Sequence, residues 1–438
     1  MAPDTFNSLD TILNQITTTN SPVALNHTLR NSIPKEARET ILSSLLSGGQ
    51  DPLSVLDMRE NTLGALFILS ARFHNTNAVP PPWPLVQEFC HTFNPDHARL
   101  APDRVTLLAR GISFYADQSN NVKAAIQPLY DLVRRYPPHP SYLTTIHPIF
   151  VMACVTSQHY SEALPILQHP ITNIDTNLSD LTYNDNLLYH YTGGIALAAL
   201  KRWNEAEEFF EICVSSPGSV PAALQLEAFK KLKLVQLIST GQASGGQKYA
   251  HPVLSRLFKN SPYSLLVNAY PHNKEHLQEV LEKERNLFST EKNIGLVTQA
   301  IERAPRWALK KLTATYVTLG LSDIARAIGI TEEEEVRALI LSMIESNDIS
   351  AQISSNGTVT FTDPPPQFTK EQVDKVLEDV QVQTAMLNAL EMEMSRSKEF
   401  LSKAVKSRDD SAWIPSAEED MYNAMGGGSN WVEDAIFS

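Results

Sequence analysis

Leu321-Ser-Asp-Ile-Ala-Arg-Ala-Ile-Gly-Ile-Thr-Glu-Glu-Glu-Glu-Val-Arg-Ala-Leu-Ile-Leu-Ser-Met-Ile-Glu-Ser-Asn-Asp-Ile-Ser-Ala-Gln-Ile-Ser-Ser-Asn-Gly-Thr-Val-Thr-Phe361 is the stretch that decides the fold. Ser322 is placed to N-cap a short helix, Asp323–Ile328, and Gly329 to stop it. Thr331 starts a longer helical pattern through Ser346, with Glu334 at the spacing that completes a capping box. After Asn347–Asp348 the helical period gives way to alternation in Ile349-Ser-Ala-Gln-Ile353. Asn356–Gly357 is a strong hairpin signal, and Thr358-Val-Thr-Phe361 alternates back. Just upstream, Trp307–Leu319 reads as one more helix.

Helix, short helix, helix and β-hairpin is the element order of a winged helix, assigned to residues 306–363. Such domains often read DNA. Here the helix that would enter the major groove opens with Glu332–Glu335, offset only by Arg337. Those glutamates suit the helix dipole but face phosphates with like charge. The basic strip Arg303, Arg306, Lys310 and Lys311 is short. Nucleic acid is therefore not an expected partner, and the hairpin edge is free for pairing with another chain's sheet.

Pro364–Pro366 close that domain, and Thr369 with Gln372 sets a capping box for a long helix over 369–406. Val373, Val380, Leu387, Met394 and Leu401 recur every seven residues along it, although Gln383 and Ser397 leave companion positions polar. A single apolar stripe of that length outlasts the surface a small domain offers, so it is expected to form the seam of a bundle with other helices. Residues 407–438 form an acidic, disorder-type tail around Gly426–Gly428, in which Trp431 and Phe437 are the candidate docking anchors.

Upstream, prolines punctuate apolar-periodic segments and glycine is scarce, at 27 and 17 residues, which suits helices with hard stops. Gly194, Ala206, Phe210 and Pro217 form a helical-hairpin signature of small residues with one aromatic between them. Related pieces recur at Ala125–Leu129–Pro137 and at Ala163–Leu167. The spacing exceeds the tetratricopeptide period of about 34, so residues 1–305 read as a degenerate TPR-like solenoid. Further helices are expected at 221–240, 274–288 and 292–303, with Gly241–Gly246 as a flexible connection. The fold class is mostly α.

The chain has 438 residues, 42% of them apolar and 19% charged, and a net charge of −13, which argues against broad binding to phosphate backbones. Cys90, Cys154 and Cys213 are too far apart for a zinc CxxC and read as buried small hydrophobes in a reducing compartment. No secretory signal and no membrane span is expected. Hydrolase, metalloprotease and dinucleotide motifs are missing, and Gly241–Lys248 fails as a phosphate loop because Lys248 neither follows a glycine nor precedes Ser or Thr. No catalytic residue, metal site or cofactor is expected.

A helical-repeat array, a winged helix and a protruding C-terminal helix together resemble the PCI-domain family, the scaffold subunits shared by the proteasome lid, the COP-nine signalosome and a translation initiation factor complex. Leu187-Leu-Tyr-His-Tyr-Thr-Gly-Gly194, Leu226-Glu-Ala-Phe-Lys-Lys231, Asn293-Ile-Gly-Leu-Val297, Leu321-Ser-Asp-Ile-Ala325 and Met343-Ile-Glu345 are more similar to the signalosome members. The resemblance covers roughly residues 180–405. It implies a non-catalytic scaffold in a complex that removes Nedd8 from the cullins of cullin–RING ubiquitin ligases, where the zinc-dependent isopeptidase is another chain. It also implies other PCI subunits as partners, an indirect link to the ligases, and residence in cytoplasm and nucleus. Winged helices in this family associate edge to edge and C-terminal helices gather in a bundle. Those surfaces map here to Ile349, Ile353, Val359 and Phe361, and to Val373, Val380, Leu387, Met394 and Leu401. A proteasome-lid scaffold is the nearest alternative, and a winged-helix nucleic-acid binder the next.

Overall fold

The computed structural model describes residues 8–402, apart from 32–34, 76, 246–248, 273, 363–367 and 399; residues 403–438, with Trp431 and Phe437, lie outside the described residues. The chain is mostly helical and divides into two units, Met1–Phe361 and Thr362–Ser438.

The repeat of the first unit is written in its turns. Asn120, Gln158 and Lys201 each adopt a left-handed backbone, with φ of 51°, 60° and 60°. Each stands five residues before a fully buried alanine: Ala125, Ala163 and Ala206. In every case the next amide donates back across the turn: Asn121 to the Ala116 carbonyl, His159 to Cys154 and Arg202 to Leu197, all at 2.9 Å. That six-to-one bond satisfies a carbonyl left over at the end of the helix. Lys292 and Asn347 close two later helices in the same way. The turn is thus a shared device, built without glycine.

Between the turns, paired helices come close where a side chain is missing. A Cβ on Gly194 would stand 2.7 Å from the Phe210 ring, and one on Gly111 2.4 Å from the Phe73 side chain. The helix Tyr183–Ala199 packs on both Ile146–Thr156 and Trp203–Ser215, and Trp203–Ser215 packs on Ala223–Ser239. Tyr136, Phe150, Tyr189 and Phe210 fill the layers between them. The cysteines Cys90, Cys154 and Cys213 are buried free thiols, their pKa values raised by desolvation. Two short parallel strands, β1 (Tyr142–Leu143) and β2 (Asn173–Ile174), tie adjacent loops.

Helix Ala223–Ser239 carries three buried lysines, and each has found partners. Lys230 lies 2.7 Å from Glu227 and 2.8 Å from Glu291. The Tyr263 hydroxyl donates to Glu291 at 2.6 Å, and Asn293 donates to Tyr263 at 2.7 Å. Lys231 donates to Asn293, and burial pushes its pKa down to about 8. Lys233 donates to the Ser244 carbonyl at 2.9 Å, and Gln236 exchanges hydrogen bonds with the Ser244 amide and hydroxyl. The glycine-rich segment expected to be a flexible connection is therefore anchored at Ser244, while Gly246 lies outside the described residues. Burying charge is costly unless every group is paired, so this network also fixes the register of the helices it joins.

Two helices expected at 292–303 and 307–319 are one, Ile294–Thr313, with Pro305 inside. A proline in a helix interior costs about 3 kcal/mol, and contacts on both sides offset it. Arg303 donates to the Ile238 carbonyl at 3.1 Å and lies over Trp203, and Trp307 seats against Gly241. The helix faces the solenoid core through Ala304 and the next core through Ala308 and Leu309, so a boundary at 305/306 falls inside a shared element.

Candidate assembly surfaces

The second core consists of Leu309 and Leu321, Ile324 and Ile328 of helix Leu321–Ile328, and Val336, Ile340 and Met343 of helix Glu333–Glu345, closed by Val359 and Phe361. Gly329 ends the first of these helices at φ 72°, as expected. The caps differ from expectation. Leu321–Ile328 starts at Leu321 with Gly320 as its N-cap, two residues ahead of Ser322. The second helix has Glu332 at its N-cap position with no side-chain cap, so the Thr331–Glu334 capping box does not form. Three glutamates in its first turn complement the helix dipole without one.

The sheet has three strands: β3 (Thr318–Gly320), β4 (Ser350–Ile353) and β5 (Thr358–Thr362), in the order β3-β5-β4. The hairpin between β4 and β5 turns at Gly357, whose φ is 79°, and the Ser354 amide donates to the Thr358 carbonyl at 2.8 Å. β3 occupies residues expected to continue a helix. It pairs antiparallel with β5, with Leu319 opposite Val359. That pairing corrects the proposed sheet edge. Val359 and Phe361 belong to the central strand and are buried, Ile349 precedes β4 and is buried, and Ile353 packs against the same core. All four face the domain's own interior. The outer strands are β4 and β3, and Tyr316 and Val317, just before β3, are exposed, Val317 at 72%.

The basic strip is occupied. Arg306 donates to Ser342 at 3.0 Å and to Ser346 at 3.2 Å, and faces Asp348 at 3.6 Å. Lys310 lies over Trp307, and Lys311 contacts His272 at 3.1 Å. Glu332–Glu335 are exposed. The electrostatics of this face oppose a phosphate backbone.

In the second unit, the helix Lys370–Arg396 is capped as the sequence predicts: the Gln372 amide donates to the Thr369 hydroxyl at 3.3 Å, and Gln372 Oε1 accepts from the Thr369 amide at 3.0 Å. None of its residues is buried. Val373, Val380, Leu387 and Met394 form its open seam, with Leu387 66% and Met394 53% exposed. The helix ends ten residues earlier than 406. Ser397 turns to an extended conformation, and its hydroxyl accepts from the Phe400 amide, recapping the chain. Leu401 therefore lies beyond a break in the seam. Val382 and Met386, also exposed, stand away from the seam, Val382 nearly opposite it and Met386 on its flank at about 100° per residue. Their spacing of four residues was the available signal for this second apolar face, which the seven-residue repeat obscured.

Among the described residues no group of three or more His, Cys, Asp or Glu is arranged to hold a metal ion, and no helix is long and apolar enough to cross a membrane. The features that stand out are surfaces: two sheet edges and an uncovered helix.

A helical-repeat solenoid fused through a shared helix to a winged helix defines a PCI-domain protein, and the PCI domain family matches residues 270–363. The family described as COP9 signalosome complex subunit 3, N-terminal helical repeats, matches residues 27–254, more than half of the chain. The chain belongs to the COP9 signalosome complex subunit 3 family. It is similar to the COP9 signalosome complex subunit 3 of Drosophila melanogaster, 29% identical over 385 residues that cover 82% of this chain and 86% of the relative. The subunit 3 of Dictyostelium discoideum is 27% identical over 377 residues, covering 82% and 88%, and that of Arabidopsis thaliana 29% over 390 residues, covering 84% and 90%.

Proposed function

We propose that this chain is a non-catalytic scaffold subunit of the COP9 signalosome, supporting removal of Nedd8 from the cullins of cullin–RING ubiquitin ligases. Family membership across both the repeats and the PCI domain carries the reading. The uncovered seam of Lys370–Arg396 supports it physically, because an isolated helix of this length gains its stability from a packed face. In this reading other PCI subunits are the partners. They meet the chain at the outer sheet strands and at Val373, Val380, Leu387 and Met394. The metal-dependent isopeptidase is another chain, cullin–RING ligases are reached indirectly, and the complex works in cytoplasm and nucleus. A proteasome-lid scaffold would share the PCI domain but not the subunit 3 repeats.

Deleting the gene and measuring the fraction of cullin that carries Nedd8 tests the proposal. Accumulation of the modified cullin, reversed by the full chain and not by a chain ending at residue 368, is the expected result. An unchanged cullin pattern in the deletion refutes it.

A further inference from the structure

A cavity of about 330 Å³ opens between the helix Ile126–Arg135, the start of Ile146–Thr156 and the short helix Leu164–Leu167. Its polar lining consists of Tyr130, Arg134, His147 and His169, and its apolar lining includes Val133 and Ile166. Among the described residues no aspartate or glutamate lines it, in a chain with 49 acidic residues. Asp131, the neighbour of Tyr130, is turned to His91 at 3.6 Å and to Gln127 at 3.3 Å.

Each of the four polar groups is able to donate a hydrogen bond. Arg134 and His169 have no side-chain hydrogen bond or ion pair among the described residues, and the Tyr130 hydroxyl has no hydrogen-bond partner among them. His147 is 2% exposed, and its Nδ1 accepts the Thr144 amide at 3.1 Å. The proton of the neutral ring therefore sits on Nε2, which makes the ring a donor. Burial holds the His147 pKa down at about 4, so that donor persists throughout the neutral range.

Several donors, one of them a permanent cation, with no carboxylate among the described lining residues, are complementary to an oxyanion. A phosphate monoester offers three terminal oxygens and close to two negative charges, against two oxygens and one charge for a carboxylate, so it matches this many donors more fully. The volume is at the small end of ligand pockets, which leaves space for a short chain or a single ring and not for a nucleotide. We propose that this cavity binds a phosphate monoester, with the oxyanion on Arg134, His169 and His147 Nε2 and the ester body against Val133 and Ile166. The ester is that of a small molecule or of a phosphorylated side chain from a neighbouring polypeptide.

Isothermal titration of the purified full chain in phosphate-free buffer at pH 7.5 tests this, with phenyl phosphate, phenol, a phosphothreonine pentapeptide and its unphosphorylated twin as probes. Phenyl phosphate is expected to bind and phenol not. Arg134→Gln should weaken binding by tenfold or more, and His169→Ala should weaken it too, with the melting temperature of each variant unchanged. Tighter binding of the phosphopeptide than of phenyl phosphate assigns the source to a partner side chain, and the reverse order to a small molecule. The absence of phosphate-dependent heat, or equal affinity in Arg134→Gln, overturns the proposal.

Discussion

Replacing Leu387 and Met394 together by aspartate should release the chain from its complex while leaving its own fold intact. Burying a leucine or methionine side chain completely contributes about 1.5–3 kcal/mol. Leu387 is 66% and Met394 53% exposed, so covering what remains open contributes about 2–4 kcal/mol for the pair. Each carboxylate placed in a covered seam adds a desolvation penalty of about 1–3 kcal/mol. The sum is about 4–10 kcal/mol, and at about 1.4 kcal/mol per decade association weakens a thousandfold or more. In the free chain neither side chain is buried, so the cost is only the lower helix propensity of aspartate, about 0.5 kcal/mol per site. Affinity purification of the tagged double variant from cells, beside circular dichroism of the isolated chain, separates the two effects. Stoichiometric co-purification with an unchanged spectrum would refute the assignment of this face to the bundle.

Other expectations follow from the packing and the titrating groups. Gly194→Ala places a methyl 2.7 Å from the Phe210 ring, and overpacking of that kind should cost about 1–3 kcal/mol in chemical denaturation, more than the helix propensity alanine regains. Lys201→Gly acts in the opposite direction: the residue is exposed at φ 60°, so glycine should relieve strain and raise stability by about 0.5–1 kcal/mol, read as a higher denaturation midpoint. His147 has a folded pKa of about 4 against 6.5 for the free side chain. The unfolded state takes up the proton first as pH falls, so stability drops between pH 6.5 and 4, and the loss is complete below 4. His147→Asn should flatten that limb by up to one proton, about 1.4 kcal/mol per pH unit, in urea denaturation at stepped pH.

Features set by a single residue type were legible in the sequence. Gly329 and Gly357 adopt the left-handed angles their positions demanded, and Thr369 with Gln372 forms its capping box. Gly194 against Phe210 reports the hairpin spacing directly. Features set by competition between local preference and packing were not. Pro305 signals a break, yet Trp307 and Arg303 hold the helix through it. Thr318-Leu-Gly320 is too short to show alternation and becomes a strand only because β5 offers it a partner. That strand moved Val359 and Phe361 from a supposed edge to the centre of the sheet. The repeat turns use Asn, Gln and Lys at the left-handed position, of which only Asn carries a turn signal of its own, although Ala125, Ala163 and Ala206 marked the period. The exposed apolar stripe was legible as far as Met394, and Ser397, already out of pattern, is where the helix breaks.

The claim that this chain is a signalosome scaffold is tested most directly by isolating the tagged full-length chain from its own cells and identifying its stoichiometric partners by mass spectrometry. The predicted result is a set of PCI-domain signalosome subunits together with a metalloprotease subunit. Proteasome-lid subunits in their place, or a chain recovered alone, would contradict it.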